Sequence, residues 1–272
     1  TSAKAYHAIW TPEGSPLRVL TDKLTLQLQK KLKQTHHVAY GMRYGNPSLH
    51  NALDSLKHCD EITILPLYPQ YASSTTGSSF EAIFQYFKNK PIMPTLHMIR
   101  DFYAHPAFIK AQSLQIAPYL KQSFDHLILS YHGLPVSHIQ DAGCQSVCTT
   151  ACPAPSKKNT TCYRAQCFET SRQLAYTLKL NQTQYTTTFQ SRLGRTPWIT
   201  PYTDILLEQL AAKGIQHLLI ACPAFVTDCL ETLEEINIRG LAAWQALGGK
   251  TLTLVPCLNT EAHWIDAIEQ II

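Results

Sequence analysis

No apolar run in this chain of 272 residues reaches the ~18–20 residues that a membrane-spanning helix requires. Nor does the chain open with the basic and then apolar pattern of a secretory leader. Charge is scarce: 15% of residues are Asp, Glu, Lys or Arg, and the net charge of +4 is spread along the chain. The densest basic run, Lys30-Lys31-Leu32-Lys33, falls on an amphipathic pattern and reads as a solvated helix face, so no nucleic-acid partner is expected. There is no Walker A sequence and no G-x-G-x-x-G after a strand, which removes the usual signals of a nucleotide cofactor. An initiator Met and an early strand are missing too. The opening TSAKAYHAIWTPEGSP starts in mid-pattern and reads as a fragment or a processed chain. The expected setting is the cytoplasm.

What is present is a hydrophobic content of 45% arranged in βα alternation. Strands are expected at 37–44, 62–67, 96–99, 126–131, 185–189, 217–221 and 251–255. Helices are expected at 16–33, 48–57, 78–88, 106–121, 162–178, 202–213, about 228–247 and 261–272. Short apolar strands alternating with helices imply parallel sheets covered on both faces. The expected fold is therefore α/β, with two Rossmann-like domains, each built on a four-stranded parallel sheet flanked by helices, and an active-site cleft between them. The first domain would span 1–123 and lack its first strand, with the last helix, 261–272, packing back on it. The second would span 124–260 with a Cys-rich insertion at 141–167. A weak repeat agrees with two units: ITILPLYPQYASSTTGSSFEAI (62–83) and HLLIACPAFVTDCLETLEEI (217–236) share the order apolar strand, Pro, aromatic, polar turn, helix. Ligands of open α/β sheets sit beyond the carboxyl ends of strands, where both polar turns fall.

Three stretches carry residue types suited to chemistry. LILSYHGLP (127–135) ends an apolar strand on His132 and breaks at Gly133 and Pro135, which turns an imidazole toward the cleft mouth. TDCLETLEE (227–235) places Asp228 at a helix start and Glu231 and Glu235 on one face, an arrangement that suits a cation as well as the helix dipole. FQSRLGRTPWITPYTD (189–204) combines Arg192, Arg195 and Trp198, fit for a flat aromatic ligand bearing carboxylates, and Tyr68 and Tyr71 offer more aromatic wall.

Nine cysteines fall into two groups. Cys59, Cys222, Cys229 and Cys257 are dispersed and read as small buried hydrophobes. Cys144, Cys148, Cys152, Cys162 and Cys167 crowd one segment with the spacing C-x3-C-x3-C-x9-C-x4-C. In a reducing compartment that spacing suits metal binding better than disulfides. Zinc, an iron–sulfur cluster and free or oxidised thiols all remain open, and the absence of a C-x2-C pair weighs against zinc.

Taken together, LSYHGLP, LYPQYASSTTGSSFEAI, FQSRLGRTPWITPYTD and CPAFVTDCLETLEEI closely resemble the ferrochelatase family, over essentially the whole chain from AIWTPEGSPL onward. The resemblance implies two Rossmann-like domains around a porphyrin cleft. It implies insertion of Fe²⁺ into protoporphyrin IX with release of two protons, the last step of haem synthesis, and no consumed cofactor. Position by position, it makes His132 the proton acceptor or metal contact, Glu231 the carboxylate facing it, and Glu235 an acid on the metal or proton path. Arg43, Tyr68, Trp198, Phe225 and Asp228 fall on substrate-binding positions. Some family members carry a [2Fe–2S] cluster, which the resemblance makes the leading reading of the cysteine segment, with Cys152, Cys162 and Cys167 as the firmest ligands. The chain departs from the pattern in lacking the N-terminal lip, in Cys229 where some relatives have His, and in Arg239 where some have an acid. Coproporphyrin III or another tetrapyrrole is an alternative substrate, and a non-catalytic haem- or metal-binding redox sensor is the alternative from another class. A greasy substrate implies peripheral contact with a membrane.

Overall fold

A computed structural model describes residues 2–272. Its central element follows from one pattern: in strand β3 (His126–His132) every residue but the last is buried. A strand without an exposed face must lie inside a parallel sheet. It does, in a four-stranded sheet of order β4-β3-β5-β6, with β4 at Tyr185–Gln190, β5 at His217–Ala221 and β6 at Thr251–Leu254, all parallel. The chain leaves β3 toward β4 on one side and leaves β5 toward β6 on the other. The crevice beyond the carboxyl ends of β3 and β5 is thus the topological switch point, where an open α/β sheet takes its ligand.

The first half carries a second parallel sheet of two strands, β1 (Glu61–Ile64) and β2 (Thr95–Met98), rather than the expected four. Residues 37–41, expected as a strand, form no ladder. The Val38 N–H donates to Gln29 Oε1 at 2.7 Å and the Met42 N–H to the Pro47 carbonyl at 2.7 Å, so local partners take two donors that a neighbouring strand would use. The helices of this half are α1 (Ser2–Ile9), α2 (Pro16–Leu32), α3 (Leu49–Ser55), α4 (Ser78–Phe87) and α5 (Pro106–Leu120). Those of the second half are α6 (Val136–Asp141), α7 (Tyr163–Thr177), α8 (Thr203–Ala212), α9 (Leu241–Ala246) and α10 (Ala262–Ile271). Of these, α1 and α6 were not expected. α5 begins at Pro106, whose missing N–H costs nothing there, and His105 Nδ1 accepts from the Ala107 N–H.

One hydrophobic core joins the two halves. α10 packs on α5 and α2, and its fully buried Trp264 lies within 6.0 Å of the Phe102 ring and 6.2 Å of the Phe108 ring. No described helix is long and apolar enough to cross a membrane.

The internal repeat has a structural counterpart. Ser73–Gly77, leading into α4, and Glu231–Gly240, leading into α9, are both wound as π-helix, with hydrogen bonds five residues apart. The helix expected from Asp228 therefore starts later and is wound more loosely.

Candidate active site

His132 is delivered to the crevice by the last residue of β3. Three contacts hold that strand end: the Gly133 N–H donates to the Gln190 carbonyl at 2.8 Å, extending the ladder. The Tyr163 hydroxyl donates to the His132 carbonyl at 2.8 Å, and the Ile199 N–H donates to the Leu134 carbonyl at 3.0 Å. Gly133 is required by space, because a Cβ there would stand 2.9 Å from the Gln190 carbonyl oxygen and 3.1 Å from the Trp198 ring. His132 Nδ1 lies 2.6 Å from the Gly133 carbonyl. A carbonyl only accepts, so Nδ1 carries a proton, and in the neutral imidazole Nε2 keeps its lone pair. The ring is 6.4 Å from that of Trp198 and 6.3 Å from that of Phe225.

Glu231 enters from the other side of the switch point, at the first residue of the π-helical segment, where its carbonyl accepts from Gln190 Nε2 at 2.8 Å. His132 and Glu231 line one cavity of about 890 Å³, together with Arg43, Tyr68, Phe225 and Tyr163. That cavity continues from the crevice between α2, the 37–43 segment and β1. Arg43 is steadied by Nε donating to Ser78 Oγ at 2.8 Å, at the start of α4. Burial, with the Tyr44 hydroxyl and the Glu231 carboxylate nearby, raises the Tyr68 hydroxyl above its usual pKa. From α1, which packs on the Glu231–Gly240 segment, Tyr6 is also raised, by burial and then by Glu231 and Cys229.

The remaining candidates stand apart from the cavity wall. Glu235 turns to the end of β4, where Ser191 and Gln190 hold it. Asp228 is buried and faces inward: its carboxylate accepts from Thr232 Oγ1 at 2.9 Å, Asn259 Nδ2 at 2.7 Å and the Cys257 N–H at 3.3 Å. Trp198 ties its indole N–H to the Leu193 carbonyl at 2.9 Å and covers His132 from the side. Arg192 is paired with Asp204 on α8 at 2.5 Å and stacks on the Tyr202 ring, and Arg195 is exposed, so the two arginines do not converge on the cavity.

A base and a carboxylate thus face one apolar cavity at the switch point. A model of the ferrochelatase family matches residues 1–272. The chain belongs to the ferrochelatase family. It is 50% identical over 271 residues to the ferrochelatase of Legionella pneumophila (strain Lens), covering 100% of this chain and 82% of that protein. It is 45% identical over 273 residues to the ferrochelatase of Coxiella burnetii (strain CbuG_Q212), covering 98% of this chain and 76% of that protein. Among solved structures, SirB from Bacillus subtilis with Fe3+ matches with a TM-score of 0.60 at 11% identity, over 95% of this chain and 92% of that one. The sirohydrochlorin chelatase SirB from Bacillus subtilis subspecies spizizenii in complex with cobalt matches with a TM-score of 0.58 at 10% identity, over 95% and 90%. At those identities the likeness concerns the fold: α/β, with parallel sheets flanked by helices. The chain is a metal chelatase of the porphyrin-acting kind, and the ferrochelatase family implies porphyrin and ferrous iron as its substrates.

In this family member the cysteine segment follows α6 as an irregular connection that runs to the start of α7. All nine cysteines are free. Burial, with the Cys162 and Cys148 sulfurs beside it, raises the Cys144 thiol. Burial also pushes Cys152 up to about 12, with Arg164 opposing and Cys148 and Cys162 adding. All five cysteines of the segment pack in or against one hydrophobic core, Cys152, Cys162 and Cys167 buried in it and Cys144 and Cys148 beside it. Cys167, expected among the firmest ligands, is fully buried on α7, where burial raises it and Tyr163 opposes. Among the described residues, no three His, Cys, Asp or Glu side chains stand in metal-holding geometry. The thiols enclose no preformed site, and neither do His132, Glu231 and Glu235. In each set one member is engaged elsewhere: Arg164 Nη1 donates to Cys152 Sγ, and Ser191 holds Glu235.

Several residues at the site gave no signal in the sequence. Tyr163, Gln190 and Ser191 contact the three expected groups through the backbone or across 40 or so residues, as in Gln190 to Glu231, |i−j| = 41. The one readable hint was a small polar residue just after a strand: Ser191 adopts φ = 66°, a left-handed conformation uncommon outside glycine.

Proposed function

We propose that the chain inserts Fe²⁺ into protoporphyrin IX, releasing two protons to give haem as the closing step of haem synthesis. The observation that carries this is the pairing, in one cavity, of an imidazole with a free Nε2 and the Glu231 carboxylate. As the metal enters, the two pyrrole N–H bonds break and Fe–N bonds form in their place. His132 Nε2 accepts protons from the macrocycle, and Nδ1 stays on the Gly133 carbonyl, which steadies the imidazolium. Glu231 supplies negative charge at the mouth for the incoming cation, and Glu235, one turn further, passes metal or protons onward. Tyr68 and Phe225 pack against the ring, Trp198 backs His132 from outside the cavity wall, and Arg43 pairs with a propionate. In this reading the two sheets belong to two domains, 1–123 and 124–260, that flank the porphyrin, and the enzyme works in the cytoplasm at the membrane surface, where its greasy substrate resides.

The same reading gives the cysteine segment a [2Fe–2S] cluster, since thiolates are the donors such a cluster takes and five cysteines crowd residues 144–167, although they enclose no preformed site. A bound cluster supplies a one-electron couple and a fixed negative charge. The chain's own part is to hold it through thiolates in the connection after the His132 strand.

Anaerobic metal insertion, assayed with protoporphyrin IX and with coproporphyrin III, tests the substrate. Faster turnover of coproporphyrin III would overturn the assignment, and no insertion into either would favour a binding protein. His132→Ala should lower turnover by ~10²–10⁴-fold, the range for a lost general base. An unchanged rate would refute its role.

A further inference from the structure

The first two turns of α7 carry a row of polar side chains at helical spacing, Tyr163, Gln166 and Thr170, and all three are buried. Buried polar groups need partners, and these find theirs on both sides of the cavity. Toward the second half, the Tyr163 hydroxyl donates to the His132 carbonyl at 2.8 Å. Ser171 Oγ, also on α7, lies 2.8 Å from the hydroxyl of Tyr131, the fully buried residue before His132. Toward the first half, Gln166 Oε1 accepts from the Tyr71 N–H at 2.7 Å, and Gln70 Nε2 donates to Thr170 Oγ1 at 3.0 Å, across 95 and 100 positions of sequence. The Thr170 hydroxyl in turn donates to the Tyr103 carbonyl at 2.9 Å. The Gln166 amide has no slack: Nε2 donates to the Thr160 carbonyl at 2.7 Å, so both ends are taken and the partners fix its orientation. Among the described residues, the bonds from Gln166 and Thr170 are the hydrogen bonds that tie residues 68–71 to the second half. Tyr68 and Gln70 line the same cavity as His132.

We propose that Gln166 and Thr170 are positioning residues for the substrate: with Tyr163 they make α7 a spacer that fixes the gap between the Tyr68 wall and the His132 strand end. The inference rests on the reading of the cavity as a porphyrin site. Two turns of α-helix keep a set length, so the wall and the strand end cannot approach or separate unless one of these bonds breaks. A Tyr71 N–H or Gln70 amide left without its buried acceptor must turn toward water, because an unpaired buried donor costs more than a moved loop. Residues 68–71 then shift, and Tyr68 leaves its place against the macrocycle. Tyr68 touches the ring before insertion and during it alike, so the loss falls on porphyrin binding and spares the proton transfer at His132.

The test uses the full chain and three readouts: Kd for protoporphyrin IX by fluorescence titration without metal, kcat for anaerobic Fe²⁺ insertion at saturating porphyrin, and thermal unfolding. Thr170→Val keeps the shape of the side chain and deletes the hydroxyl. It should raise Kd roughly three- to tenfold, the range for one lost hydrogen bond, with kcat within about twofold of wild type. Thr170→Ser keeps a hydroxyl and should return Kd to the wild-type value. Gln166→Met should behave as Thr170→Val does. A lower Tm with unchanged Kd in both folded variants would make these contacts structural and overturn the assignment. A loss of kcat with Kd unchanged would overturn it as well, by moving the effect to the chemistry. Failure of Thr170→Ser to restore Kd would exclude the hydroxyl as the cause. A wild type that binds neither protoporphyrin IX nor coproporphyrin III would overturn the reading of the cavity, and this assignment with it; a wild type that binds and metallates porphyrin separates the two. Should Thr170→Val not fold, Gln166→Met decides by the same criteria. If neither folds, the row serves the fold and the assignment falls.

Discussion

Ser191 grips Glu235 at two points: its backbone N–H donates to Oε1 at 2.7 Å and its hydroxyl to Oε2 at 2.5 Å. A residue in the left-handed region at the end of β4 thereby fixes the orientation of a carboxylate 44 positions away. Hydrogen bonds to charged groups contribute roughly 1.5–3 kcal/mol when buried, and less at a half-buried position such as this. Ser191→Ala should lower stability by about 1 kcal/mol in urea unfolding and reduce kcat several-fold with KM for porphyrin unchanged. Ser191→Gly relieves the backbone while losing the same hydroxyl, so it should match the kcat loss with little stability cost. Wild-type kcat in both would detach Glu235 from the reaction.

Gly133→Ala forces a Cβ to within 2.9 Å of the Gln190 carbonyl oxygen, a backbone atom inside the sheet. The strand end must shift, and overpacking of this kind costs about 1–3 kcal/mol. His132 moves with it, and misplacement by about an ångström can cost ~10²-fold in rate. The measurement is insertion rate beside the unfolding midpoint; a stable variant with normal turnover would show that the turn has room to spare.

Asp228 presents a sharper question, because resemblance places it among the porphyrin contacts while its carboxylate is consumed by Thr232, Asn259 and the Cys257 N–H. Removing it orphans the buried Cys257 N–H at about 1–3 kcal/mol, takes one acceptor from the half-buried Asn259 amide, and leaves the Thr232 hydroxyl with the Cys229 carbonyl alone. Asp228→Ala should therefore lower Tm by several degrees and leave the KM for porphyrin near wild type in the folded fraction. A raised KM with an unchanged Tm would restore the substrate role.

Stability should depend on pH through Asp125, whose carboxylate accepts from the Gln216 N–H at 2.9 Å and the His217 N–H at 2.8 Å. Those two bonds hold its pKa below the ordinary carboxylate range in the native state. Its contribution is complete above the unfolded value of about 3.9 and is lost as pH falls through the lower native value. Asp125→Asn should be less stable than wild type at pH 7, with the gap closing in acid. A gap that stays constant down to pH 2 would exclude the linkage.

The strand that carries His132 was readable because LILSY has no polar face to lose, and a strand of that kind has one place in a parallel sheet. The crevice was readable for the same reason, since strand order at a switch point follows from alternating strands and helices. The partners were not. Glu231 and Asp228 have equal claims in TDCLETLEE, and what separates them is Asn259, |i−j| = 31 away, which pulls Asp228 inward. The basic loop at 189–204 read as a carboxylate clamp because nothing local shows that Asp204 takes Arg192. Arg164 left no trace, because a lone Arg in CYRAQC does not announce that it is fully buried and bonded to the Thr200 carbonyl. π-winding is silent for a related reason: residues of Glu231–Gly240 suit an α-helix equally well.

That winding sets a counting rule for the second half of the molecule. Glu231 must face the crevice at one end of the helix, and Trp244, fully buried and wedged against Gly249, must face the core at the other. Each residue turns the chain by about 100° in an α-helix and by somewhat less in the wider π-winding, so a one-residue deletion between them would swing one anchor to a different side. The segment from 231 to 244 is in effect a gauge block: its side chains can vary, but its length cannot.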